Sequence, residues 1–221
     1  MLTQSVEKKI SQILNVFETG QKNVKYDAIY IYPDGRNGRR QVTLSYGLTE
    51  DGGNLGKLLQ IYNIANGQYS DQLLPYFPKI GTGVLHNSDS FKVLLKEAAI
   101  KDDFFNECQD FCFRALYLKK GYEKAKEYGI ITNLGIAVIV DSVLQGSLDA
   151  VSLTFREARP SKGGEEKTFI KAYLNARKKW LISKGAPLSN SIYRVASFQK
   201  AIDSDNWNLS KPFDANGTII D

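Results

Sequence analysis

With 221 residues, 43% of them hydrophobic and 24% charged, the chain is long enough to bury a sizeable core and too ordinary in composition for disorder, which predicts one domain over residues 1–221. A formal net charge of +5 favours an anionic partner, but the basic residues are scattered among acidic ones, as on a mixed solvated surface. The polar N-terminus lacks the apolar run of a signal peptide or membrane span, so we expect a soluble protein, cytoplasmic as synthesised, with release or export by a non-classical route left open.

The first predicted elements are an amphipathic helix and a β-hairpin. Apolar residues at three- and four-residue spacings predict a helix over residues 5–18, which Gly20 ends. From residue 27 to 46 the residues alternate around the turn PDGRNG and are rich in Ile, Tyr, Val and Thr, which predicts a hairpin or a small sheet. Glu18 is thereby placed at a helix end and Asp34 on a turn.

Helices are predicted to dominate the remainder of the chain. The nearly continuous apolar run over 130–144 predicts the central buried helix, too short and too interrupted to cross a membrane. The region after residue 183, with Trp207 and Pro212, is expected to be a loop-rich tail. The result is an α+β fold class, mainly helical, with a small β-hairpin lobe. The other helices are predicted over residues 55–66, 90–99, 102–118, 121–128 and 167–183.

The few histidines and cysteines narrow the possible chemistry. His86 is the single histidine, which argues against zinc hydrolases built on two or three. A Ser-His-Asp triad would need it, yet no G-x-S-x-G elbow is present, and no glycine-rich phosphate loop occurs either. Cys108 and Cys112 lie four apart on a predicted helix and are interpreted as buried free thiols, in preference to a metal or redox role. We expect no metal and no cofactor, so carboxylates are the candidate catalytic groups.

Glu18 and Asp34 are the candidate pair of carboxylates. Glycosidic cleavage needs one carboxyl group that donates a proton and one carboxylate that activates water, about 6.5–9.5 Å apart when the water lies between them. Glu18 follows Phe17 on an apolar-faced helix, which suits the acid, whereas Asp34 lies among arginines, which suits an ionised base. From spacing alone, a surface glutamate and a turn-type Asp-Gly remain the plainer interpretation.

Segments in order along the chain resemble a known family. FETG, DGR, TLSYG and GNLGKLLQIY look like the beginning of glycoside hydrolase family 46, the chitosanases, which share the core of the lysozyme superfamily. FFNECQDFCFRALY, GIAVIVDSVLQGS, the AR-P turn and TFIKAYLNARKKW continue the similarity, which spans most of residues 5–185. The resemblance implies a lysozyme-like fold of two lobes around a cleft, and an inverting endo-hydrolase of β-1,4-linked amino-sugar polymers.

The resemblance also implies roles for individual residues. The family's general acid falls on Glu18, its general base on Asp34, and the threonine that holds the attacking water on Thr43. The spacing from Asp34 to Thr43 is longer than in phage-type lysozymes, because RNGRR enlarges the turn. The substrate-contacting arginine two residues past the base falls on Arg36.

Asp141 lies inside an otherwise apolar helix and therefore needs a cation, since an unpaired buried charge costs several kcal/mol. The resemblance implies a network that joins Asp141, Arg159 and Arg177 to Glu18 and tunes the acid through neighbouring charge. A purely structural buried ion pair is the alternative.

Asn54 is the departure that bears on substrate. Chitosanases carry an acidic residue there, which holds a glucosamine ammonium, whereas an asparagine offers no full negative charge and suits an N-acetyl group or a hydroxyl. Neighbouring Glu50 and Asp51 are the candidates to compensate. Chitosan and peptidoglycan therefore both remain open as substrates.

Two other function classes remain as alternatives. A non-catalytic glycan- or cell-wall-binding protein on the same fold would have a filled cleft. A DNA-associated helical protein would need a clustered basic recognition helix, which the sequence lacks. The expected partner is thus a polysaccharide, with no nucleic acid and no membrane, and the expected state is a monomer.

Overall fold

The computed structural model describes residues 2–45 and 47–221. A π-helical turn covers Arg114–Leu118. The α-helices of the described residues are α1 (Gln4–Thr19), α2 (Asn54–Ile64), α3 (Ser70–Leu73), α4 (Asp89–Lys101), α5 (Asp103–Phe113), α6 (Lys119–Tyr128), α7 (Asn133–Leu144), α8 (Leu148–Ser152), α9 (Glu166–Lys184) and α10 (Ile192–Asp203). The strands are β1 (Ile29–Tyr32), β2 (Gln41–Leu44), β3 (Leu48–Thr49), β4 (Phe213–Ala215) and β5 (Thr218–Ile220).

The chain forms two compact units. The first comprises Met1–Asn23 and Leu116–Asp221, and the second comprises Val24–Ala115. The first unit contains α1, α6 to α10 and the β4–β5 hairpin, and the second contains the β1–β2–β3 sheet and α2 to α5. The organisation of residues 1–221 as one domain with two lobes stays a prediction.

Helix α7 is the buried centre of the first unit, as the apolar run predicts. It contacts α1, α6, α9 and α10. Thr132 caps its N-terminus, because the Thr132 hydroxyl accepts the N–H of Gly135 at 3.1 Å. A Cβ atom at Gly121 of α6 would lie 2.8 Å from the Val140 Cα atom, so the close approach of α6 to α7 requires a glycine. This packing places Asp141, on α7, in the core.

The second unit is built on an antiparallel sheet in the order β1–β2–β3. Tyr30 pairs with Thr43, and Tyr32 pairs with Gln41. Because side chains alternate along a strand, these four residues share one face of the sheet, while the intervening residues form the apolar face. Buried residues of α2 and α5 complete the core of this unit: Leu55, Leu58, Leu59, Tyr62, Phe105, Cys108 and Cys112. The two cysteines are free and buried, as their spacing predicts.

The predicted loop-rich tail after residue 183 is wrong. The structure has helix α10 and the β4–β5 hairpin there. The apolar residues Val195, Phe198, Ala201 and Ile202 follow a helical period and are buried, and Asn216-Gly217 forms the hairpin turn. This helix supplies a residue of the candidate site.

The other predicted helices agree with the structure to within a few residues. The mainly helical α+β class and the small sheet are confirmed. None of the helices in the described part of the chain combines the length and the apolar character that crossing a bilayer requires.

Candidate active site

Glu18 lies in the last turn of α1. The helix ends because Gly20 takes a left-handed conformation, with φ of 75°, and its N–H binds the Val16 carbonyl at 2.9 Å. Residues Ile10, Ile13, Leu14 and Phe17 anchor the preceding turns in the core. The Glu18 side chain nevertheless keeps 23% of its surface exposed, so it remains partly accessible to solvent.

Arg194 of α10 joins Glu18 to Asp141. Its Nη1 atom donates to Glu18 Oε1 at 2.7 Å and to Asp141 Oδ1 at 3.0 Å, and its Nη2 atom donates to the Phe17 carbonyl at 3.1 Å. Burial disfavours the charged form of Arg194, but the charges of Glu18 and Asp141 outweigh it, so the guanidinium pKa lies above its ordinary value. Arg194 is therefore a permanent cation that holds the Glu18 carboxyl group.

Arg177 of α9 pairs with the same aspartate. Its Nη1 atom lies 2.6 Å from Asp141 Oδ2, and both side chains are fully buried. The contact is a close ion pair rather than a directed hydrogen bond, because neither atom meets hydrogen-bond geometry. The Arg177 Nη2 atom donates to Gln145 Oε1 at 2.5 Å. The chain Glu18–Arg194–Asp141–Arg177 thus contains two acids and two cations.

This balance has a chemical consequence for Glu18. A general acid must change its charge during the reaction, and a buried cation left without a counter-ion is costly. Arg194 retains Asp141 as a partner when Glu18 is neutral. Arg194 therefore keeps one carboxylate partner whatever the charge of Glu18, and it shares that carboxylate with Arg177.

Arg159 is not part of this network, contrary to the expectation from the sequence. Its guanidinium lies over the Tyr128 ring, 3.6 Å from the ring centroid, and its Nη1 atom is 3.7 Å from Glu127 Oε1. Arg194 binds Asp141 instead. The sequence analysis does not single out Arg194, because it predicts a loop-rich tail where the structure has α10. The period of the apolar residues in this segment is the signal that could have revealed the helix.

Asp34 lies on the exposed turn between β1 and β2. Its Oδ1 atom accepts a hydrogen bond from Gln41 Nε2 at 3.0 Å, and Gln41 Oε1 accepts the Asp51 N–H at 2.9 Å. Gln41 itself is buried on β2. This residue, which the sequence analysis did not single out, fixes the Asp34 carboxylate against the sheet.

Asp51 holds the turn that carries Asp34. Its carboxylate accepts the backbone N–H of Arg36 and pairs with Arg39 Nη2 at 3.0 Å. A Cβ atom at Gly35 would lie 2.8 Å from the backbone carbonyl oxygen of Arg39 and 2.5 Å from Asp51 Oδ2, so this close approach requires a glycine. Asp51 holds the backbone of Arg36, and the residue as a whole is exposed to solvent.

Glu50 and Asp51 do not compensate for Asn54 as the sequence suggested. Glu50 is buried, and its two oxygens accept the N–H groups of Val42, at 2.8 Å, and Gly81, at 3.2 Å. The Asp51 carboxylate binds the backbone N–H of Arg36 and the guanidinium of Arg39. Asn54 begins α2 and is partly exposed. Glu50 thus ties β2 to the segment at Gly81, and Asp51 holds the turn that carries Asp34.

Thr43 lies on β2, opposite Tyr30 and Thr49. Its side chain is largely buried, and among the described residues its hydroxyl has no hydrogen-bond partner.

The described residues contain no cluster of three or more His, Cys, Asp or Glu side chains able to hold a metal ion.

Comparison with known proteins gives a consistent result. The model of glycosyl hydrolase family 46 matches residues 12–213. The chitosanase of Bacillus subtilis (strain 168) is 24% identical over 234 residues, which cover 96% of this chain and 82% of that protein.

Solved structures are similar over the full length. Native chitosanase from Bacillus subtilis MY002 superposes with a TM-score of 0.85 at 21% identity, covering 100% of both chains. A Gynuella sunshinyii chitosanase in complex with chitotetraose superposes with a TM-score of 0.85 at 20% identity, covering 99% of this chain and 98% of that one. These likenesses confirm the predicted lysozyme-like fold.

Proposed function

The chain belongs to glycosyl hydrolase family 46 and is a glycoside hydrolase, and from that premise we propose that it cleaves chitosan internally, with inversion at the anomeric carbon. Relatives that align over nearly the whole chain are chitosanases, and one of them is complexed with chitotetraose. The observation that carries the proposal is the Glu18 carboxyl group, accessible at a helix end and held by Arg194 at 2.7 Å.

Glu18 is the proposed general acid. It protonates the glycosidic oxygen of the leaving sugar, and Arg194 stabilises the carboxylate that forms. Arg194 keeps its second partner, Asp141, throughout, and shares that carboxylate with Arg177 while Glu18 is neutral.

Asp34 is the proposed general base. Its exposed carboxylate removes a proton from the attacking water, while the hydrogen bond from Gln41 fixes its orientation. Thr43 is proposed to help hold that water, as the resemblance implies; its hydroxyl is buried and has no protein partner among the described residues. Arg36, exposed on the same turn, is proposed to contact the substrate.

A second candidate substrate is an acetylated polymer such as peptidoglycan. Asn54 offers no negative charge to an ammonium group, and the Glu50 and Asp51 carboxylates beside it are occupied by backbone N–H groups and Arg39. Asn54 is proposed to hydrogen-bond a hydroxyl or an N-acetyl group of the sugar.

Product analysis tests the proposal. The wild-type protein is incubated with chitosan of low acetylation and, separately, with purified peptidoglycan, and the soluble products are identified by mass spectrometry. Oligomers of glucosamine released from chitosan support the first proposal. Release of muropeptide fragments alone would transfer the assignment to peptidoglycan, and release from neither would contradict both.

A further inference from the structure

Two tyrosines stand together on the polar face of the sheet in the second unit. Tyr30 and Tyr32 are two positions apart on β1, so their side chains point to the same side. Their ring centroids lie 6.0 Å apart, and their planes differ by 12°. Tyr32 is 53% exposed, and Tyr30 is partly buried beside it. The pair therefore presents aromatic surface to solvent.

The same face carries the group that holds Asp34. Tyr32 pairs directly with Gln41 across the β1–β2 ladder, and directly opposite residues share a face of the sheet. Gln41 Nε2 lies 3.0 Å from Asp34 Oδ1. The tyrosine pair and the side chain that holds the Asp34 carboxylate thus lie on the same face of the sheet.

The backbone between the tyrosines and Asp34 is restrained. Pro33 follows Tyr32, which fixes the φ angle of the proline and favours an extended conformation at Tyr32. Beyond Asp34, the N–H of Gly35 binds the Arg39 carbonyl at 3.0 Å, which closes the turn. The backbone that carries Tyr32 and Asp34 is therefore restrained before any ligand binds.

We propose that the Tyr30–Tyr32 pair is a sugar-stacking subsite, in which the exposed Tyr32 ring takes the apolar face of one pyranose ring of an amino-sugar polymer beside Asp34. The inference rests on the proposed function, since it assumes that Asp34 acts on a glycan. Ligand sites combine an aromatic surface with a few fixed polar groups, and a tyrosine face also attracts an ammonium group such as that of glucosamine. Tyr32 is the stacking residue, and Tyr30 supports its ring.

The test compares three variants of exposed aromatic residues. Tyr32→Ala removes the stacking ring, Tyr32→Phe retains it without the hydroxyl, and Phe111→Ala is the matched control. Phe111 is 59% exposed on α5 of the same unit, so its loss removes a similar exposed ring from another element. Steady-state rates are measured on glucosamine hexamer, and binding of the hexamer is measured calorimetrically for each change combined with Glu18→Gln.

Stacking of one aromatic ring predicts a rise in KM of about two- to tenfold for Tyr32→Ala, with kcat within about twofold of wild type. Tyr32→Phe should restore the wild-type KM, and Phe111→Ala should leave it unchanged. The hexamer Kd should rise by the same factor in the Tyr32→Ala, Glu18→Gln double variant.

Unchanged KM and Kd in Tyr32→Ala, with an active wild type, would overturn the stacking subsite and leave the proposed function intact. Absence of hydrolysis by the wild type, with Tyr32-dependent binding of the hexamer, would overturn the function and retain the subsite. Absence of both hydrolysis and binding would overturn both.

Discussion

The Arg194 Nη1 atom lies 2.7 Å from Glu18 Oε1, although 176 positions separate the two residues in the sequence. The contact joins the end of the first helix to the first turn of α10. A residue of the C-terminal region thus fixes the carboxyl group proposed as the acid, and this contact makes the role of Arg194 testable.

Arg194→Ala is expected to lower both stability and activity. The change removes the cation shared by Glu18 and Asp141, and breaking a buried ion pair generally costs about 3–5 kcal/mol. Urea unfolding measures the loss of stability, and kcat on chitosan measures the loss of positioning. Arg159→Ala is the control, because Arg159 lies outside the network. Equal effects of the two changes would contradict the assignment of Arg194.

Asp141→Ala is expected to be at least as destabilising as Arg194→Ala. Asp141 pairs with two arginines, so its removal leaves Arg177 without a carboxylate and Arg194 with Glu18 alone. The expected loss is again about 3–5 kcal/mol in the free energy of unfolding, with a large drop in melting temperature. Because Arg194 would then pair only with Glu18, the pH–rate profile should also shift. A stable variant with an unchanged profile would contradict the coupling.

Gln41→Met is expected to reduce kcat more than it raises KM. Methionine fills a similar volume but donates no hydrogen bond to Asp34, so the proposed base loses its orientation. The change also frees the Asp51 N–H, which the circular dichroism spectrum and the melting temperature monitor as a control for folding. Gln41→Glu keeps the acceptor for Asp51 and loses the donor to Asp34. Full activity in both variants would exclude a positioning role.

Cys112 is expected to make stability fall at alkaline pH. Burial is the main cause that raises the pKa of this thiol to about 11, from 9.0 in an unfolded chain. The native state therefore keeps its proton where the unfolded state loses it. The stabilisation is present below pH 9.0 and disappears as the pH rises towards about 11. Cys112→Ala should flatten the decline in unfolding free energy over that range, and an unchanged slope would contradict the prediction.

The sequence predicted those features that depend on local pattern. The period of apolar residues located α1, Gly20 ended it, and the apolar run of α7 showed that Asp141 would be buried. The partner of Asp141 was harder to predict, because any arginine on a neighbouring helix would balance its charge. Only tertiary packing selects Arg194 over Arg159. The role of Gln41 depends on β-strand register, which the sequence alone did not specify.

The anomeric form of the first product tests the central claim most directly. Proton NMR follows fresh hydrolysis of glucosamine hexamer by the wild-type protein, with Glu18→Gln as the matched variant. If Glu18 donates the proton and Asp34 activates water, the α-anomer appears first, and Glu18→Gln loses about 10²–10⁴-fold in rate because its amide has no transferable proton. Initial formation of the β-anomer, or near wild-type rates in Glu18→Gln, would contradict the account.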